Sequence, residues 1–175
     1  MPKATKYRLD FEIDKLTRSI ENAVTGESFS TEILPASKKD LLLLTKSNGW
    51  LFNWKNEFAD PEKKVYKLVT VENMNIIQGL VSLTVAPDHV FMNLIENAPF
   101  NRSRNKIYHG VAGNLVAHAC RVSLASGGNG FVSFLSKTKL IPHYTASLGA
   151  RHEGGQLMVI YPSEAMVLIE RYFSR

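Results

Sequence analysis

His89-Val-Phe-Met-Asn-Leu-Ile-Glu96, the basic stretch Asn97 to Lys106, then Ile107-Tyr-His-Gly-Val-Ala-Gly-Asn114, a helical run to Leu124 and Phe131-Val-Ser-Phe-Leu135 together decide the fold of this chain. Strict alternation over the first segment predicts a strand with Val90, Met92, Leu94 and Glu96 on one face and Phe91, Asn93 and Ile95 on the other. The small residues from Gly110 to Gly113 let a backbone turn into a helix and approach a ligand closely. A helix start carries unpaired amides and about half a positive charge, so an anion such as phosphate suits it. Val111, Leu115, Val116, Ala119, Val122 and Leu124 follow the helical period, and Gly127-Gly128 stops it. Phe131 to Leu135 is short, apolar and bounded by glycine, which predicts a buried strand. Strand, helical crossover and strand make a βαβ unit with parallel strands.

Working outward, Val65 to Val71 and Ile76 to Thr84 read as a hairpin, and Ala86-Pro87-Asp88 turns the chain into the central strand. An antiparallel meander therefore leads into the parallel unit, and the sheet is mixed. Thr25-Gly26-Glu27 separates two early strands, the second ended by Pro35. Ser37 caps a short helix from Lys38 to Thr45 that Asn48-Gly49 closes. Trp50, Phe52, Trp54 and Phe58 suit packing over the sheet better than an acceptor-site wall. Past Leu135, Ser136 or Thr138 caps a helix that takes Pro142 in its first turn, carries Ile141, Tyr144 and Leu148 on one stripe and ends at Gly149. Gln156 to Tyr161 forms the last strand, and Pro162-Ser163 opens the final helix through Phe173. Before Thr17, Phe11, Ile13 and Leu16 stand among charges, and no structure is assigned.

These residues resemble the GNAT superfamily of acyl-CoA-dependent N-acetyltransferases. In that family a loop of the form Gln/Arg-x-x-Gly-x-Gly/Ala at a helix start receives acyl-CoA, and Ile107-Tyr-His-Gly110-Val-Ala112 fills the slot, with Ile107 replacing the Gln/Arg. Tyr144-Thr-Ala-Ser-Leu-Gly149-Ala150 resembles the family's Tyr-x-x-x-Gly-Phe ending with one extra residue, and Lys137 stands where many members carry Asn. The likeness runs from Lys64 to Phe173. It implies an α/β fold, a meander leading into a parallel βαβ unit with helices on both faces, as a single domain spanning 1–175 with 1–16 as an N-terminal arm. It implies acetyl-CoA as co-substrate with no metal, bound by Leu94, Ile95, Arg102, Arg104, Tyr108, His109, Gly110, Val111, Ala112, Gly113 and Asn114. Glu96, at the carboxyl end of the strand, is the candidate base, weighed against a solvated glutamate, and Tyr144 the candidate acid for the leaving sulfur, weighed against a core tyrosine. Ser133 and Ser136 are weaker alternatives to Tyr144.

The length of 175 residues suits one domain with a real core, and 45% apolar content is that of a globular protein. No apolar run is long enough to span a bilayer and no signal-peptide core follows the basic start, so a cytoplasmic protein without a membrane partner is expected. A net charge of +5 suits anionic ligands without marking a nucleic-acid binder. Arg102, Arg104 and Lys106 precede the anion loop and either draw in coenzyme A phosphates or form a solvated basic loop. Cys120 lies mid-helix as a small core residue, and the scattered histidines make no metal-ligand set. Two readings stay open. In the first, acetyl moves to an amine acceptor (small amine, peptide or aminoacyl-tRNA) by direct attack in a ternary complex. In the second, a non-catalytic domain of the same fold binds CoA or an anionic partner such as RNA or an acidic protein. The oligomeric state is open, a homodimer included.

Overall fold

The computed structural model describes residues 6–102 and 104–173. Seven strands form one mixed sheet in the order β3-β4-β5-β6-β8-β10-β9: β3 (Thr31–Pro35), β4 (Lys64–Thr70), β5 (Gly79–Val85), β6 (Val90–Asn97), β8 (Val132–Leu135), β10 (Leu157–Ile160) and β9 (Arg151–His152). A smaller sheet joins β1 (Ile20–Asn22) to β2 (Ser28–Phe29) on one side and to β7 (Tyr108–His109) on the other. The meander β3-β4-β5-β6 is antiparallel throughout, and β6 pairs with β8 in parallel, as the alternation and the crossover predict.

Alternation along β6 is broken, which corrects the expected facing. The register against β5 shifts between Ser82 and Leu83, so Ser82 opposes Leu94 while Leu83 opposes Met92, and Asn93 is the extra residue. Its amide group reaches Ser82 Oγ and Thr84 Oγ1. A bulge reverses the side on which every later residue points. Val90 and Met92 therefore share a face with Ile95 and Asn97, and Leu94 and Glu96 lie on the opposite face with Phe91.

The first of these faces takes α3 (Val111–Ala125), a helix with 11 of its residues buried because α5 (Pro162–Phe173) covers its outer side. Gly79 admits the helix: a Cβ there would stand 2.7 Å from the Val111 side chain. The other face takes α2 (Trp54–Ala59), whose Trp54 is fully buried. The helix expected from Lys38 to Thr45 is only the single turn α1 (Lys38–Leu41), capped by Ser37 and Asp40 reciprocally, followed by a 3₁₀ turn over Lys46–Asn48. Leu42 and Leu43 are exposed and only Leu41 and Leu44 of this run pack on the core, too narrow an apolar face to carry α1 further. Beyond β8 a 3₁₀ turn, Thr138–Leu140, leads into α4 (Ile141–Leu148), with no side-chain cap from Ser136 or Thr138. Gly149 ends α4 at φ +69°, where a side chain would be strained.

The N-terminal arm, unassigned from sequence, is the element that most affects the site. Leu9 makes an isolated parallel bridge to Ser136: its amide donates to Leu135 (2.7 Å), and its carbonyl accepts from the Lys137 amide (3.0 Å). Leu9 and Ile13 are buried, and Phe11 packs against Phe134 and Tyr144 with ring centroids at 6.0 and 4.7 Å.

Candidate functional site

β6 and β8 pair only at their beginnings, Val90 with Val132 and Phe91 with Ser133. Past that point the strands share no ladder, and β8's exposed backbone is met by Leu9 instead. Asp10, Phe11 and Glu12 share a cavity of about 190 Å³ with Ile95, Glu96 and Asn97 at the far end of β6. The arm thus lies in the gap between the two strand ends. A parallel pair that parts company leaves unpaired backbone groups and a wedge of space, which some extended group must fill.

At the mouth of this gap stands the start of α3. Gly110 is its N-cap at φ +91°, the left-handed conformation that favours glycine. A Cβ on Gly110 would collide with Thr17 Oγ1 and stand 2.7 Å from the Ser19 carbonyl oxygen, and one on Gly113 would collide with the Tyr172 hydroxyl. The close approach that the glycines permit is made by the chain's own arm and final helix. The Gly110 amide donates to Asp14 Oδ1 (3.2 Å), Lys106 Nζ to Asp14 Oδ2 (2.9 Å), and His109 Nδ1 faces the same oxygen at 3.3 Å. An anion does sit on the helix start, and it is a carboxylate of this chain. Burial alone would raise the Asp14 carboxyl, but the Lys106 ammonium and the Gly110 and Lys15 amides outweigh it and hold the group below the usual carboxylate range.

The loop between β6 and α3 is fixed by Asn101, which is fully buried. Its amide nitrogen donates to the Gln78 carbonyl (3.1 Å) and side chain (2.9 Å), and its oxygen accepts from the Tyr108 amide (3.1 Å). Of the basic residues, Arg102 donates to the Gly49 carbonyl and reaches Glu96 at 3.5 Å, Lys106 holds Asp14, and Arg104 is exposed. Leu94 and Ile95 are buried on opposite faces of β6. Tyr108 and His109 form β7 and pair with β1, while Val111, Ala112, Gly113 and Asn114 are buried in the first turn of α3. Asn114 donates to Thr31 Oγ1 (3.2 Å), its own oxygen remaining without a partner.

Both candidate proton handlers are buried and engaged. Glu96 accepts from the Leu51 amide (2.8 Å) on one oxygen and from the Phe52 amide (3.3 Å) and Trp54 Nε1 (2.8 Å) on the other. With Arg102 beside it, each oxygen faces two donors. Tyr144 is fully buried in the triad with Phe11 and Phe134, and its hydroxyl donates to the Phe11 carbonyl (2.7 Å). Burial, then the charges of Asp10 and Glu12, push its hydroxyl far above the ordinary tyrosine value, so it stays a donor. Ser136 donates to the Lys137 carbonyl, and Ser133 is buried on β8. Gly110, Lys106 and Tyr144 converge on one strip of arm. Glu96 borders it from the side of α2.

Asp14, Phe11 and Leu9 are the residues that sequence reasoning missed. The signal was there: Leu9, Phe11 and Ile13 alternate with Asp10, Glu12 and Asp14, the period of an extended segment with one buried side.

No protein-family model and no curated protein sequence matches the chain. Solved structures do. A mutant form of the spermidine/spermine N-acetyltransferase SpeG from Vibrio cholerae superposes with a TM-score of 0.54 at 14% identity, covering 79% of this chain and 97% of that one. The same enzyme in complex with manganese ions gives 0.54 at 14% identity over 79% and 96%. The spermidine N-acetyltransferase from the same organism in complex with CoA and spermine gives 0.51 at 13% identity over 78% and 98%. At this identity the likeness is one of fold: over about four-fifths of its length this chain has the fold of these N-acetyltransferase structures.

Proposed function

We propose that the protein is an acyl-CoA-dependent N-acetyltransferase, moving an acetyl group from acetyl-CoA to an amine by direct attack in a ternary complex. The observation that carries this reading is the parted β6-β8 pair, with a glycine-started helix at one end of the gap and a buried tyrosine hydroxyl turned into it. Acetyl-CoA would lie in the gap against Leu94 and Ile95, its phosphates on the Gly110 to Asn114 turn near Arg102, Arg104, Lys106, Tyr108 and His109. An amine with a pKa near 10.4 is neutral in only about one molecule in a few thousand at pH 7, a handicap of roughly 4–5 kcal/mol. Glu96 relieves it only by giving up one of its accepted hydrogen bonds to take the proton directly or through water. Tyr144, held neutral by burial, protonates the departing thiolate.

The acceptor class in this reading is a polyamine or another cationic amine. The neighbours named for spermidine and spermine favour this class. The test is release of free thiol from acetyl-CoA with spermidine, spermine, simple amines, peptides and aminoacyl-tRNA as acceptors, alongside calorimetric titration with acetyl-CoA and CoA. Absence of binding by either nucleotide removes this reading. A second reading, a non-catalytic domain of the same fold, is favoured by one observation, the arm seated in the gap.

A further inference from the structure

Several groups around the cleft that the acetyltransferase reading assigns to the cofactor already have partners in one short segment, Leu9 to Asp14. The carboxylate of Asp14 takes the Gly110 amide and the Lys106 ammonium. The carbonyl of Phe11 takes the Tyr144 hydroxyl, and its ring fills the space against Phe134. The backbone of Leu9 takes the Leu135 carbonyl and Lys137 amide that β6 leaves behind. Ile13 donates its amide to His143 Nε2 (2.9 Å). An extended segment advances about 3.3 Å per residue, so the five steps from Leu9 to Asp14 cover about 16 Å. That run joins the end of β8 to the start of α3. Anion at the helix start, acceptor at the tyrosine and backbone pairing along the strand are the same three kinds of contact an acyl-CoA would need. Its hold is also limited. The segment forms no regular strand, and Asp10 and Glu12 face solvent.

We propose that Leu9 to Asp14 is a tethered competitor for the acetyl-CoA cleft, with Asp14 standing where the pyrophosphate binds, so that the cofactor enters only when the arm leaves. This rests on the acetyltransferase reading. A site open for a fraction f of the time binds with an apparent Kd of the intrinsic value divided by f, so the arm sets affinity for acetyl-CoA without touching the intrinsic contacts. Two anions cannot share the Gly110 amide and Lys106, and the one with more charge displaces the other when its concentration suffices.

The test uses the full chain in two variants, titrated calorimetrically with acetyl-CoA. In Leu9→Cys/Ser136→Cys the two positions are bridge partners, so oxidation locks the arm down and reduction frees it within the same molecule. Cys120 is buried in α3 and does not compete for the bond. The locked form is expected to show no binding, and the reduced form, which has lost the buried Leu9 side chain that helps hold the arm, to bind at least as tightly as wild type. Asp14→Ala, which removes the competing charge, is expected to bind at least about 10-fold more tightly than wild type. Equal affinity in the locked and reduced forms overturns the inference and leaves the acetyltransferase reading standing. Absence of binding in every form, with cooperative melting retained, removes that reading and this inference together. Should Asp14→Ala fail to fold, the redox pair decides alone.

Discussion

Glu96→Gln separates a buried structural carboxylate from a catalytic base. The side chain keeps 3% of its surface, and its two oxygens face four donors: Leu51 N and Arg102 on one, Phe52 N and Trp54 Nε1 on the other. A glutamine must turn its NH₂ toward one of these pairs, so either orientation loses two accepted bonds and sets donor against donor. Hydrogen bonds to a charged group contribute about 1.5–3 kcal/mol each, which for two of them predicts a loss of roughly 3–6 kcal/mol. At about 2–4 °C per kcal/mol for a chain of this size, the melting temperature should fall by about 10 °C. Urea denaturation followed by tryptophan fluorescence measures the first number, with Trp54 itself in the network, and calorimetry the second. A loss under about 1 kcal/mol, combined with a rate that falls at neutral pH and recovers at higher pH, would refute this reasoning and make Glu96 a base with lone pairs to spare.

Three further outcomes are expected. Tyr144→Phe should lower turnover by roughly 10²–10⁴ without weakening acetyl-CoA binding if its hydroxyl protonates the thiolate; full activity in steady-state assays would make it a core residue that only holds the Phe11 carbonyl. Gly110→Ala should destabilise the fold by about 1–2 kcal/mol from the φ of +91° alone, and by more through the collision with Thr17, read as a shifted urea midpoint; an unshifted midpoint would contradict the placement of the arm. His118 is buried beside Arg121, and burial first, then that charge, lowers its pKa from 6.5 to about 3. The folded state thus disfavours the proton that the unfolded chain accepts, so its contribution is complete above about pH 6.5 and is lost as pH falls toward 3, up to about 4–5 kcal/mol. Denaturation midpoints at pH 7, 5 and 4 should fall more steeply in wild type than in His118→Gln, and equal slopes would remove histidine as the cause.

The order of elements was legible because it depends on local pattern. The β-rich run at Val65 to Val71, the short apolar run at Phe131 to Leu135 bounded by glycine, the helical period from Val111 and the glycines at 110, 127 and 149 each act within a few residues, and the elements they mark are there. The facing of Leu94 and Glu96 was not legible, because the reversal at Asn93 depends on the register that β5 imposes. Leu42 and Leu43 read as helix and proved exposed, since whether an apolar run has anything to pack against is decided by distant chain.

The sequence by itself determined a helix start built for an anion, with Gly110 as its turn and lysine and arginine just ahead of it. Which anion came there was decided by the tertiary structure alone. Asp14 lies 96 residues from Gly110, and Leu9 lies 127 from Ser136, separations that no periodicity spans. Chemistry fixed the charge that the site demands, whereas only the folded path of the arm, drawn in by Leu9, Phe11 and Ile13, brought a carboxylate of the same chain to meet it.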